Sequence, residues 1–156
     1  MAIDRVRDHP IIVILDTNAL FVPFKFKINL DSELCRLFGE YEIIIPSCVF
    51  QEAKRLQGTE KFGSKAFALA QSKVPPDWYK EFEAELFSKK SEDETKIQHR
   101  ETYNENYVDN KILQIAKALD GIVITNDKAF LKRLNEVGIR TILLRSRKYL
   151  KLNLQF

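Results

Sequence analysis

Short apolar runs alternate with longer amphipathic stretches along this chain. The first run, Ile11-Ile12-Val13-Ile14-Leu15, is unbroken and mostly β-branched. It predicts a strand covered on both faces, as in a parallel sheet between helices. Glu42-Ile43-Ile44-Ile45, stopped by Pro46, predicts a second strand, Ile122-Val123-Ile124 a third, and Thr141 to Leu144 a fourth. From Leu150 to Phe156 apolar residues fall at every second position. That pattern fits a fifth, edge strand or a dimer contact.

The stretches between are helical in period. A short helix is expected after Asp16, ending near Pro23, with Phe24 to Ile28 as a loop. Leu30, Leu34, Leu37 and Phe38 share a helical face, with Asp31 and Glu33 in the first turn and Gly39 as terminator. Ser47 is placed to cap the next helix, whose stripe is Val49, Ala53 and Leu56. Gly63 and Pro75-Pro76 divide the following segment into two helices, the second capped by Asp77 and carrying Tyr79, Phe82 and Leu86 on one face. Ser88 to Asn106 is polar and reads as an exposed loop or a frayed helix start. Val108, Ile112, Ile115 and Leu119 form a clean stripe ended by Gly121. Thr125-Asn126-Asp127 opens a last helix carrying Phe130, Leu131 and Leu134, closed by Gly138. Strands separated by helices imply an α/β fold with a parallel sheet.

At 156 residues the chain has room for one core. No linker divides it, so 1–156 reads as one domain with a helical or polar insertion at about 58–106. No apolar run approaches the roughly 20 residues that span a bilayer, and Met1 to Pro10 lacks a signal peptide's apolar stretch. These features point to a cytoplasmic protein away from membranes. Cys35 and Cys48 are then expected as small buried side chains rather than a disulfide. His9 and His99 have no partner at ligand spacing and are read as surface residues.

Four acids carry the chemistry. Asp16 and Asp127 follow strands and so lie at the sheet's carboxyl edge, where open α/β sheets bind ligands. Glu52 lies about 60° from Val49 around its helix, and Asp109 about 100° from Val108, both flanking a buried stripe. Each has an ordinary alternative. Asp127 would cap a helix, Glu52 would pair with Lys54 or Arg55, and Asp109 would sit in a helix's first turn. Taken together, clustered carboxylates repel one another and persist at neutral pH around a cation. All-oxygen donors select Mg²⁺ or Mn²⁺ over Zn²⁺. No Ser–His or Cys–His pair offers a competing nucleophile.

Ile14-Leu15-Asp16-Thr17-Asn18-Ala19-Leu20, Glu52 after Ile45-Pro46-Ser47, Val108-Asp109-Asn110-Lys111-Ile112-Leu113 and Ile124-Thr125-Asn126-Asp127-Lys128 resemble the PIN-domain ribonucleases. Phe21 to Leu37 also resembles the small-subunit rRNA-processing branch and its archaeal relatives. The resemblance implies a three-layer α/β/α sandwich with a central parallel sheet of four to five strands. It implies endonucleolytic cleavage of single-stranded RNA, in rRNA processing or RNA decay, with Asp16, Glu52, Asp109 and Asp127 holding one or two Mg²⁺ or Mn²⁺ ions. Asn18, Thr125 and Asn126 would orient those acids. A homodimer is expected. The alternatives are a toxin ribonuclease with a protein regulator, and a non-catalytic RNA-binding module of the same fold.

The net charge of +3 adds little by itself. The placement of cations adds more. Lys128, Lys132 and Arg133 follow Asp127; Arg145, Arg147 and Lys148 follow the fourth strand; Lys25 and Lys27 interleave with Phe24 and Phe26. Such clusters suit the backbone and bases of single-stranded or structured rRNA, or else form a solvated basic face with aromatics tucked into the core. A haloacid-dehalogenase-like phosphatase is excluded because its second Asp position is Asn18. A phosphoacceptor receiver is excluded because its acids are distributed differently.

Overall fold

The computed structural model describes residues 10–88 and 106–153. Strands β1 (Ile11–Leu15), β2 (Tyr41–Ile44), β3 (Ile122–Ile124), β4 (Thr141–Arg145) and β5 (Tyr149–Asn153) form one sheet in the order β2-β1-β3-β4-β5. The helices are α1 (Thr17–Phe26), α2 (Leu30–Phe38), α3 (Ser47–Arg55), α4 (Gly63–Ser72), α5 (Tyr79–Ser88), α6 (Asn106–Leu119) and α7 (Lys128–Glu136), with a 3₁₀ turn at Leu56–Gly58. The helices cover the sheet, and α4 packs against α1, with Lys73 at its end 2.6 Å from Asp31 of α2. The result is the expected α/β/α sandwich. No helix among the described residues is long and apolar enough to cross a membrane.

The core follows from the pattern. Val13, Ile14 and Leu15 are fully buried, and Ile122, Val123 and Ile124 nearly so. Leu20, Leu34, Val49, Ile112, Ile115 and Leu134 reach them from the helices, each fully buried. Burying such a side chain contributes about 1.5–3 kcal/mol.

The structure corrects several expectations. The parallel part of the sheet has four strands; β5 runs antiparallel to β4, because a tight turn at Ser146 and Arg147, both at positive φ, returns the chain directly. Glu33 and Arg36 of α2 reach β5, where the Leu150 N–H donates to Glu33 at 2.8 Å and Arg36 donates to the Leu150 carbonyl at 2.7 Å.

Helix α1 does not stop at Pro23 but continues to Phe26, so the expected loop is largely helical. A proline removes one helix bond, and the burial of Leu20, Phe21 and Val22 outweighs it. Lys27, in the left-handed region, closes the helix by donating to the Pro23 carbonyl. Ser47 is the first residue of α3 rather than its cap; its N–H and hydroxyl both donate to the Glu83 carboxylate.

Asp120, at φ 51°, makes the turn expected of Gly121. Gly121 is small for another reason: a Cβ there would lie 2.8 Å from Ile14 Cδ1. Both cysteines are free, but Cys35 is exposed and Cys48 only partly buried. Cys35 faces away from the Leu30–Leu34 side of α2. The polar stretch between α5 and α6 lies outside the described residues, as do His9 and His99.

Candidate functional site at the carboxyl edge of the sheet

The chain leaves β1 for β2 on one side and returns past it to β3 on the other. The direction of winding therefore reverses between β1 and β3, and the crevice beyond their carboxyl ends is the expected ligand site. Leu15 pairs with Ile124, so the next residues, Asp16 and Thr125, emerge side by side. The Asp16 N–H donates to the Ile124 carbonyl at 3.4 Å.

Asp16 is only 4% exposed. Its carboxylate accepts from the Ala19 N–H at 2.7 Å and caps α1. The fully buried Thr125 favours the charged form of the same carboxylate, and its hydroxyl accepts from the Asp127 N–H at 3.1 Å. Asp127 caps α7 in turn, accepting from Ala129 at 3.0 Å and Phe130 at 3.2 Å. Thr125 thus bears on both acids that end two neighbouring strands.

Burial drives the Asp16 pKa up to about 7. Thr125 and Ala19 oppose the rise, while the charges of Asp109 and Asp127 add to it. Asp109 lies on the first turn of α6 and is partly buried. Its pKa rises to about 6, through burial first and then through Asp127 and Glu52, with Arg133 opposing. Glu52, partly buried on α3, enters through its charge on Asp109. Residues spread from 16 to 127 in the chain therefore share one electrostatic neighbourhood.

Among the described residues no three His, Cys, Asp or Glu side chains are arranged to hold a metal ion as they stand. The chemistry of the donors nonetheless suits a hard cation: four carboxylates, two of them pushed toward the neutral form for want of countercharge. The Thr17 hydroxyl, next to Asp16 in sequence, is buried without a hydrogen-bond partner. Such orphaned buried groups are few in folded proteins.

The remaining candidates divide. Asn18 is exposed on the first turn of α1. Asn126 turns its oxygen to β4, accepting from the Leu144 N–H at 3.3 Å. Arg133 donates to Asn110 at 2.6 Å and offsets the Asp109 charge, so it is tied to the acids rather than offered to solvent. Nothing in the periodicity joins residues 110 and 133, and Asn110 was missed. Lys128, Lys132, Arg145, Arg147 and Lys148 are exposed, the last three at the β4–β5 turn on the same sheet edge as Asp16. Lys25 and Lys27 are exposed near the far end of α1, with the Lys25 ammonium 5.3 Å from the Phe21 ring centroid. Phe24 stacks on Phe62 at 6.5 Å.

Residues 13–75 match the model of a family described as a PIN like domain. Over 148 residues the chain is 31% identical to ribonuclease VapC4 of Methanocaldococcus jannaschii, covering 90% of this chain and 95% of that relative. In three dimensions it is similar to the PIN domain endonuclease Utp24, with a TM-score of 0.64, 19% identity, and coverage of 94% of this chain and 93% of that one.

Proposed function

The chain belongs to the PIN-domain ribonuclease family, and from that membership we propose that it is a Mg²⁺- or Mn²⁺-dependent endoribonuclease cutting single-stranded RNA beyond β1 and β3. The observation that carries this reading is the raised Asp16 carboxyl, buried beside Thr125 and repelled by Asp109 and Asp127. A buried acid destabilised by like charges is what a site awaiting a cation looks like.

Asp16, Glu52, Asp109 and Asp127 would hold the ion or ions. When bound, a hard divalent ion supplies positive charge against the scissile phosphodiester and lowers the pKa of attacking water. The protein's own groups do the rest. Thr125 fixes Asp16 relative to Asp127. Asn110 holds Arg133 against Asp109. Arg145, Arg147, Lys148, Lys128 and Lys132 are placed to neutralise flanking phosphates.

An RNA oligonucleotide incubated with a Mg²⁺ and Mn²⁺ series tests this. Cleavage is expected with the ions, none in EDTA, and a loss of at least about 100-fold in Asp16→Asn, on the order of one electrostatic catalytic group. Undiminished cutting by Asp16→Asn refutes the assignment. RNA binding that survives the substitution, with no cutting by the native chain, selects the non-catalytic module instead.

Two cellular roles fit the same chemistry. Growth arrest on expression marks a toxin with a protein regulator, and unprocessed rRNA on depletion marks a processing enzyme. The homodimer is part of the proposal, and light scattering reads it directly.

A further inference from the structure

A cavity of about 1120 Å³ opens beside the acids, between α3, the α4–α5 segment and the start of α6. Glu52 lines it; Asp16, Thr125 and Asp127 do not. It also takes in Val108, next to Asp109 in the chain. The cavity is thus a side chamber off the acidic site. Binding pockets of about 300–1,000 Å³ hold drug-sized ligands, so this one has room for a nucleotide.

Its lining is unlike the acidic edge. Phe87 and Tyr107 supply aromatic faces, and the Lys111 ammonium lies 3.7 Å from the first ring's centroid and 5.4 Å from the second's. Arg55 and Lys80 add positive charge. Tyr79 also lines the chamber; it is 2% exposed, and its hydroxyl is buried with no hydrogen bond of ordinary geometry. That hydroxyl lies near the Glu83 carboxylate, and burial first and Glu83 second drive its pKa upward, so it is held as a neutral donor. A buried polar group lacking a partner is costly to keep. It is kept more readily where a ligand completes it.

We propose that this chamber binds one nucleotide of the RNA next to the scissile phosphate, with the base against the Phe87 and Tyr107 rings and the Tyr79 hydroxyl, and its phosphate toward Lys111 and Arg55. Aromatic faces recognise any base and the hydroxyl discriminates among them. The inference rests on RNA being the substrate, but not on cleavage.

The test is therefore direct binding without metal. Each of the four 5′-ribonucleoside monophosphates is titrated in EDTA and followed by ligand-detected NMR. At least one is expected to bind the native chain. Tyr107→Leu and Tyr79→Phe are each expected to weaken it about tenfold, and Lys117→Met, on α6 but outside the chamber, to leave it unchanged. Tyr79→Phe is expected to melt no lower than the native chain, so lost binding is not lost folding. No binding by any monophosphate, or equal binding in both tyrosine variants, overturns the proposal. So does ribose 5-phosphate binding as tightly as the nucleotides, which makes the chamber a phosphate site. Binding with no RNA cleavage under any metal supports the chamber and refutes the nuclease reading separately.

Discussion

Asp16 is asked to do two opposed things. Its carboxylate caps α1 through Ala19, which stabilises the helix. The same carboxylate is buried among like charges, which destabilises the fold. The two are separable by mutation. Asn keeps an acceptor for the Ala19 N–H and carries no charge, so metal-free Asp16→Asn should melt higher than the native chain at pH 8. Asp16→Ala should fall about 1 kcal/mol below Asp16→Asn, the usual worth of a cap. Urea melts in EDTA measure both. An Asn variant less stable than native would mean that the charge contributes to the fold. The position after a buried strand marked Asp16 as functional from the sequence. Its capping role was not legible, because an acid that follows a strand and one that opens a helix look alike when the two elements abut.

At the scale of elements, strands were read best. Runs such as Ile11–Leu15 admit one solution once flanked by helices. What escaped was decided by partners distant in the chain. Ser47 has the composition of a cap, but Glu83, 36 residues on, takes its hydrogen bonds. Pro23 has the composition of a helix end, but three buried neighbours carry the helix past it. Of the acids, Asp127 does cap α7, the ordinary role its sequence also allowed. The alliance of Arg133 with Asn110 had no pattern to betray it.

Gly63 was read as a divider, and its cause is steric. A Cβ there would collide with the Leu56 carbonyl oxygen in the turn that follows α3. Gly63→Ala should cost about 2 kcal/mol or more, in the range of overpacking a closed site. Since α3 carries Glu52, cleavage should fall with it. An unchanged melting temperature would show that the turn moves freely.

For the whole molecule, the acids make stability depend on pH and metal together. The folded Asp16 pKa of about 7 lies well above the ordinary 3.8, and Asp109 at about 6 does likewise. Between these limits the folded chain holds protons that the unfolded chain has released. Unfolding free energy therefore falls as pH rises from about 4 to about 7, by a few kcal/mol in order of magnitude, and is level beyond. The stabilisation is complete at the acid end and gone above the folded pKa. Millimolar Mn²⁺ should raise the melting temperature by mass action, most at pH 8, where the ligands are ionised. Melting curves from pH 5 to 8, with EDTA or Mn²⁺, give both slopes. A metal-free stability that climbs over this range would contradict the shared acidic neighbourhood.

The reach of Glu33 and Arg36 to Leu150 has a consequence for assembly. An outermost strand normally offers bare amide and carbonyl groups that invite another chain to zip on. Here the amide and carbonyl of Leu150, near the start of β5, are already engaged by an acid and a base from α2. Two copies joining through that border would first have to pull this stopper out. The sheet resists lateral growth at that border, which leaves β2 as the other edge through which a second chain could pair.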